Sequence, residues 1–88
     1  MSTLAKSETA PVRAEGVRFA GDTLHVQLED GREVSLSLAA TPWLGWLARA
    51  TPGQRNHWSL EPGGYAIYWP ELDDGIEVCH LLKLHSMA

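Results

Sequence analysis

The densest run of groups able to do chemistry is "WPELDDGIEVCHLL", Trp69 to Leu82, with four acidic residues in the seven positions from Glu71 to Glu77. Carboxylates at this density suit three tasks: holding a hard cation, acid–base catalysis, or starting a helix. A calcium loop of the EF-hand kind needs oxygen ligands at alternate positions ahead of its glycine. Counting back from Asp74-Gly75, those positions hold Leu72 and Pro70, whose side chains offer no oxygen. Acid–base work by Glu71, Asp73 and Asp74 needs a pocket and perturbed pKa values, and the sequence shows neither. Helix-start chemistry fits better. Asp74 and Glu77 have the spacing of a capping box, with Asp73 as the other candidate cap. Val78, Leu81 and Leu82 then supply an i, i+3, i+4 apolar stripe. The expectation is a short amphipathic helix beginning at Asp74.

The other reactive side chains are dispersed. His25, His57, His80 and His85 form no HExxH and no paired Cys/His spacing, so no metal site is expected. His25 falls on the polar side of a strand and reads as solvated. Cys79 has no triad partners in the sequence and reads as a half-buried small hydrophobe. There is no GxGxxG, Walker loop or GxSxG. The reading is a non-enzymatic chain with no cofactor.

The elements that position these residues follow from periodicity. Residues 1–11 have no hydrophobic period and read as a disordered arm. Val17 and Phe19 flank Arg18. Leu24, Val26 and Leu28 alternate with His25, Gln27 and Glu29, and Val34, Leu36 and Leu38 alternate with polar residues. A period of two marks strands with one buried face. Gly21-Asp22 and Asp30-Gly31 are turn pairs, so a three-stranded meander is expected over residues 12–38. Thr41 and Pro42 then read as the cap and first residue of a helix. Its wheel places Trp43, Leu44, Leu47 and Ala50 inward and Trp46 at the edge. Thr51, Pro52 and Gln54 repeat the device for one short turn ending near Asn56. "HWSLEPGGYAIYWP" reads as a hairpin around Pro62-Gly63-Gly64, with Trp58 facing Trp69.

Composition narrows the class. The chain has 88 residues, 44% hydrophobic and 20% charged, with a net charge of −4. That is one domain of ordinary globular composition. No apolar run approaches the ~20 residues of a membrane span. Residues 1–11 lack the apolar core of a secretory signal, and the lone cysteine forms no internal disulfide, so the expected location is the cytoplasm. The seven basic residues are scattered from Lys6 to Lys83, which argues against binding a phosphate backbone.

The span "ATPGQRNHWSLEPGGYAIYWPELDDGIEVCHLL", from Ala50 to Leu82, resembles family 2442 of the domains of unknown function, a group of small bacterial proteins. The residues that carry the resemblance are Ala50, Thr51, Pro52, Gln54, Arg55, Asn56, Trp58, Ile67, Trp69, Pro70, Leu72 and Asp73, and "LEDGREVSL" upstream also fits. Tyr68 stands where the family usually has histidine, and Asp74-Gly75 where two acidic residues are usual. The resemblance implies no established reaction. Its members are often encoded beside a second small uncharacterised family, an arrangement that implies a two-gene toxin–antitoxin-like module.

The expected fold is α+β: an antiparallel sheet made of the three-stranded meander and a C-terminal hairpin, packed by two short helices. The expected domain spans residues 12–85, with a tail at 86–88. Gln54, Arg55 and Asn56 either brace their loop or form a contact surface, with Arg55 and Trp46 as anchors. The first functional expectation is a protein-binding module, the antitoxin-like partner of a neighbouring small protein, or a self-associating one. The alternatives are a nucleic-acid-associated regulator and, behind it, a small enzyme using Glu71, Asp73 and Asp74.

Overall fold

A computed structural model describes residues 12–87, with side chains described as far as Lys83. The expected arm, residues 1–11, lies outside the described residues, as does Ala88.

The meander forms as the alternation predicts. Strands β1 (Ala14–Ala20), β2 (Thr23–Leu28) and β3 (Glu33–Ser37) make an antiparallel sheet in the order β1-β2-β3. Leu24, Val26 and Leu28 are buried on one face of β2, and Val34 lies opposite Val26. A bulge between Ala14 and Gly16 shifts the register of β1. Several charges of the meander pair with one another across its strands and turns. Arg13 pairs with Glu29 at 3.0 Å, Arg18 with Glu33 at 3.4 Å and Arg32 with Asp30 at 2.8 Å. His25 is half-buried rather than solvated. Its Nδ1 lies 2.8 Å from Ser35 Oγ and 3.5 Å from Glu33 Oε1, because cross-strand neighbours on a twisted sheet crowd one another.

These pairs hold three carboxyls below their ordinary range. Arg13 does so for Glu29 through a side-chain hydrogen bond, the Arg32 amide for Asp30, and the Gln27 amide for Glu33. Each folded pKa lies below its unfolded one. The stabilisation is therefore complete above the unfolded value and lost as pH falls through the folded one. The melting temperature should fall as pH drops through and below the ordinary carboxylate range. Solvent screening keeps the effect modest, so high salt should flatten it. A melting temperature constant through that range would remove these pairs from the account.

The second half builds a sheet of its own. Strands β4 (Ser59–Leu60), β5 (Ala66–Trp69) and β6 (Asp74–Glu77) pair antiparallel in the order β4-β5-β6. The turn around Pro62–Gly64 closes the expected hairpin, with Leu60 opposite Ile67. Trp58 lies just ahead of that ladder and is half-buried at the core's margin, while Trp69 is fully buried. The ring partners of Trp69 are Phe19 and Trp46.

Strand β6 is a correction, since the capping-box spacing predicts helix there. Asp74 and Glu77 instead lie opposite Trp69 and Ala66, and Ile76 is buried opposite Ile67. The cause is Gly75. A β-carbon on it would lie 2.7 Å from the Ile67 carbonyl oxygen, so only glycine admits β6 this close to β5. Glycine is also a poor helix former, which removes the competing state. A 3-10 turn at Pro70–Leu72 and left-handed Asp73 (φ 51°) reverse the chain between the two strands. Gly75→Ala should cost about 1–3 kcal/mol through the forced backbone shift. Asp74→Ala should stay within about 0.5 kcal/mol, as for an exposed residue that caps no helix. Urea melts that reverse this order would restore the capping reading.

The last helix starts after β6. Numbering the α-helices in chain order, α1 is Gly45–Ala48, α2 is Pro52–Arg55 and α3 is Val78–Met87, the last reaching into the expected tail. Val78 and Leu81 are buried and Leu82 half-buried, as the stripe predicts, but Cys79 is exposed. Before α1, Pro42–Leu44 wind as a 3-10 turn. Thr41 does not cap it; its Oγ1 donates to the Ser37 carbonyl at 2.7 Å. That turn has three residues per turn, so a wheel drawn at 3.6 misplaces its side chains. Leu44 and Leu47 are buried as expected. Trp43, expected inside, is 36% exposed and lies edge-on to His80, whereas Trp46 packs against Trp69. No helix among the described residues is long and apolar enough to cross a membrane.

Candidate functional site

Helix α2 gathers the polar residues singled out as a brace or a contact. Thr51 Oγ1 accepts from the Gln54 amide at 3.1 Å, and Gln54 Oε1 accepts from the Thr51 amide at 2.9 Å. This reciprocal box satisfies two donors at the helix start. It engages the Gln54 side-chain oxygen.

Arg55 is held from several sides. Its Nε donates to the Leu47 carbonyl at 3.1 Å and its Nη2 to the Ala48 carbonyl at 2.8 Å, serving acceptors at the end of α1. Nη1 reaches the β1–β2 turn, donating to the Gly21 carbonyl at 3.4 Å and lying 3.2 Å from Asp22 Oδ1. The guanidinium also sits 5.7 Å from the Phe19 ring centroid, a cation–π contact. Its own carbonyl accepts from Trp69 Nε1 at 2.9 Å. Arg55 thus ties α1, α2, the first turn and the aromatic core together, and its side chain is 12% exposed.

Beside it lies a groove of about 230 Å³ lined by Phe19, Gly21, Pro52, Arg55 and Asn56. Pro52 and Asn56 are exposed at its rim. Small-molecule pockets usually span about 300–1,000 Å³. This one suits a single inserted side chain, with an aromatic ring and a proline as walls and polar groups at the edge. Of the four contact candidates, Arg55 and Asn56 line the groove. Trp46 does not line it and packs edge-on to Trp69, 5.7 Å between ring centroids.

Glu71, Asp73 and Asp74, the three proposed for acid–base work, each take a different partner. Glu71 Oε2 lies 2.6 Å from His57 Nδ1, Asp73 accepts from the Tyr68 hydroxyl at 2.8 Å, and Asp74 accepts from the neighbouring Gly75 amide at 2.8 Å. The hydrogen bond to Asp73 holds the Tyr68 hydroxyl above its ordinary pKa. Among the described residues, no three of His, Cys, Asp and Glu come together in a way that could hold a metal ion. Sequence reasoning missed the His57–Glu71 contact, which joins residues fourteen positions apart. It also missed a readable signal: from Asn56 to Leu82 the chain has five acidic residues and no lysine or arginine.

Comparison with protein families matches residues 14–84 to the family described as "Protein of unknown function (DUF2442)". No curated protein and no solved structure matches the chain.

Proposed function

We propose that this chain, which belongs to the DUF2442 family, is a non-enzymatic protein-binding module that takes a partner's side chain into the groove beside Arg55. The observation that carries this reading is the groove's build. Its arginine is already anchored by the fold, so that wall is held in place, while Pro52 and Asn56 stand exposed at the rim. Rigid pockets of one-side-chain size are where interface hot spots concentrate. The partner in this reading is the product of an adjacent gene, with the chain as its antitoxin-like counterpart in the cytoplasm. The lone Cys79, which forms no internal disulfide, suits such a reducing compartment.

The test is co-expression with the adjacent gene's product, comparing the wild type with Asn56→Arg. The Asn56 side chain is exposed, so the variant should melt as the wild type does while its longer side chain fills the groove. Co-purification with the wild type and its loss in the variant is the expected result. Absence of association with the wild type, or association unaffected by Asn56→Arg, defeats the proposal.

A further inference from the structure

The solvent face of the second sheet has a chemistry that the groove does not use. Leu60, Ile67 and Ile76 turn inward, so the opposite row across the three strands is Ser59, Tyr68 and Gly75. Next to it Ala66 pairs with Glu77. The Tyr68 ring extends across Gly75: a β-carbon there would lie 3.5 Å from Tyr68 Cδ1. The hydroxyl is fixed by Asp73, so the ring is a held, half-buried aromatic surface. Carboxylates rim it. Glu61 follows β4, Asp73 and Asp74 precede and open β6, and Glu77 closes β6. All four residues are exposed, as are Ser59 and Gly75.

The two halves of the molecule treat charge differently. In the meander Arg13, Arg18 and Arg32 are each paired with a carboxylate, and Arg55 is paired with Asp22. From Asn56 to Leu82 the sequence has no lysine or arginine, and among the described residues none pairs with Glu61, Glu71, Asp73, Asp74 or Glu77, although His57 lies 2.6 Å from Glu71. An aromatic surface ringed by carboxylates that no described lysine or arginine pairs with matches a guanidinium or ammonium group. The ring face attracts the cation and the carboxylates accept its hydrogen bonds. We infer that this sheet face docks a lysine- or arginine-rich segment of a partner protein, with Tyr68 at the centre and Glu61, Asp73, Asp74 and Glu77 around it. A second copy of the chain fits poorly. It carries a net charge of −4, and four of its arginines are already paired. Nucleic acid is repelled by the same field. The proposal goes beyond the groove and does not depend on it.

The experiment is an amide-resolved NMR titration of the whole chain with a peptide alternating arginine and serine. A peptide alternating glutamate and serine is the control. Shift changes should gather on β4, β5 and β6 with the basic peptide and be absent with the acidic one. The double variant Glu61→Gln with Glu77→Gln removes two exposed charges without touching the core. It should keep the wild-type melting temperature and weaken binding about tenfold at low salt, as loss of complementary charge does. Glu15→Gln, on the first sheet, should leave the affinity unchanged. No binding of the basic peptide, shifts centred on the meander, or equal affinity in the double variant each overturn the proposal.

Discussion

Trp69→Ala should lower stability by about 3–5 kcal/mol, the usual loss for an aromatic residue cut out of a core. Trp69 is fully buried at the end of β5 and touches elements from both halves of the chain. Its ring meets Phe19 of β1 edge-on at 6.5 Å and Trp46 of α1 at 5.7 Å. Its indole N–H donates to the Arg55 carbonyl at the end of α2. Alanine removes the ring that joins these elements and leaves that carbonyl without its donor. Against a typical domain stability of about 5–15 kcal/mol, the variant should be largely unfolded at moderate temperature. Trp69→Phe keeps most of the packing and loses the hydrogen bond, so it should fall between the two. Urea unfolding followed by near-ultraviolet circular dichroism reads both variants. A Trp69→Ala protein with native near-ultraviolet signal and an unchanged midpoint would show that the two halves do not share this core.

Arg55→Ala should cost about 1.5–3 kcal/mol, in the range for losing hydrogen bonds made by a charged group. The loss comes from the carbonyls of Leu47 and Ala48, which sit beside the core and lose their donor. The Asp22 pair contributes less, because the Asp22 side chain is 70% exposed and solvent screens it. Two replacements separate these terms. Asp22→Ala should be nearly silent. Arg55→Lys should recover little, since an ammonium cannot reproduce the planar fork that reaches both carbonyls and lies against Phe19. If Arg55→Ala melts like the wild type and only association with a partner is lost, Arg55 is an interface residue and not a brace. Pairing it with Trp46→Ala should deepen the destabilisation, because Trp46 packs on the same indole.

Much of the α+β architecture could be read from residue order alone. Period-two alternation placed β2 and β3 with the correct faces inward, since a strand's side chains point to opposite sides whatever it packs against. The Thr51–Gln54 box was equally legible, because both of its hydrogen bonds close within three residues. The family likeness carried by Ala50 to Asp73 also stands, matched over residues 14–84.

Where local rules competed, the tertiary structure decided. Asp74 and Glu77 satisfy the spacing of a capping box and of a strand equally well. The close approach of Gly75 to the Ile67 carbonyl selects the strand, and that contact exists only once β5 is in place. Trp43 and Trp46 are both plausible core residues on a wheel. The 3-10 winding of Pro42–Leu44 and the position of Trp69 send one to His80 and the other into the core. The partners of Arg55 lie up to thirty-four positions away, beyond the reach of any motif. Charge balance divides in the same way. The sequence alone shows that no lysine or arginine lies between Asn56 and Leu82. That Glu77 shares the open face with Tyr68 follows from the β5–β6 register, because pairing across strands, not distance along the chain, sets which side chains are neighbours, while Asp73 joins Tyr68 through a hydrogen bond from outside the ladder.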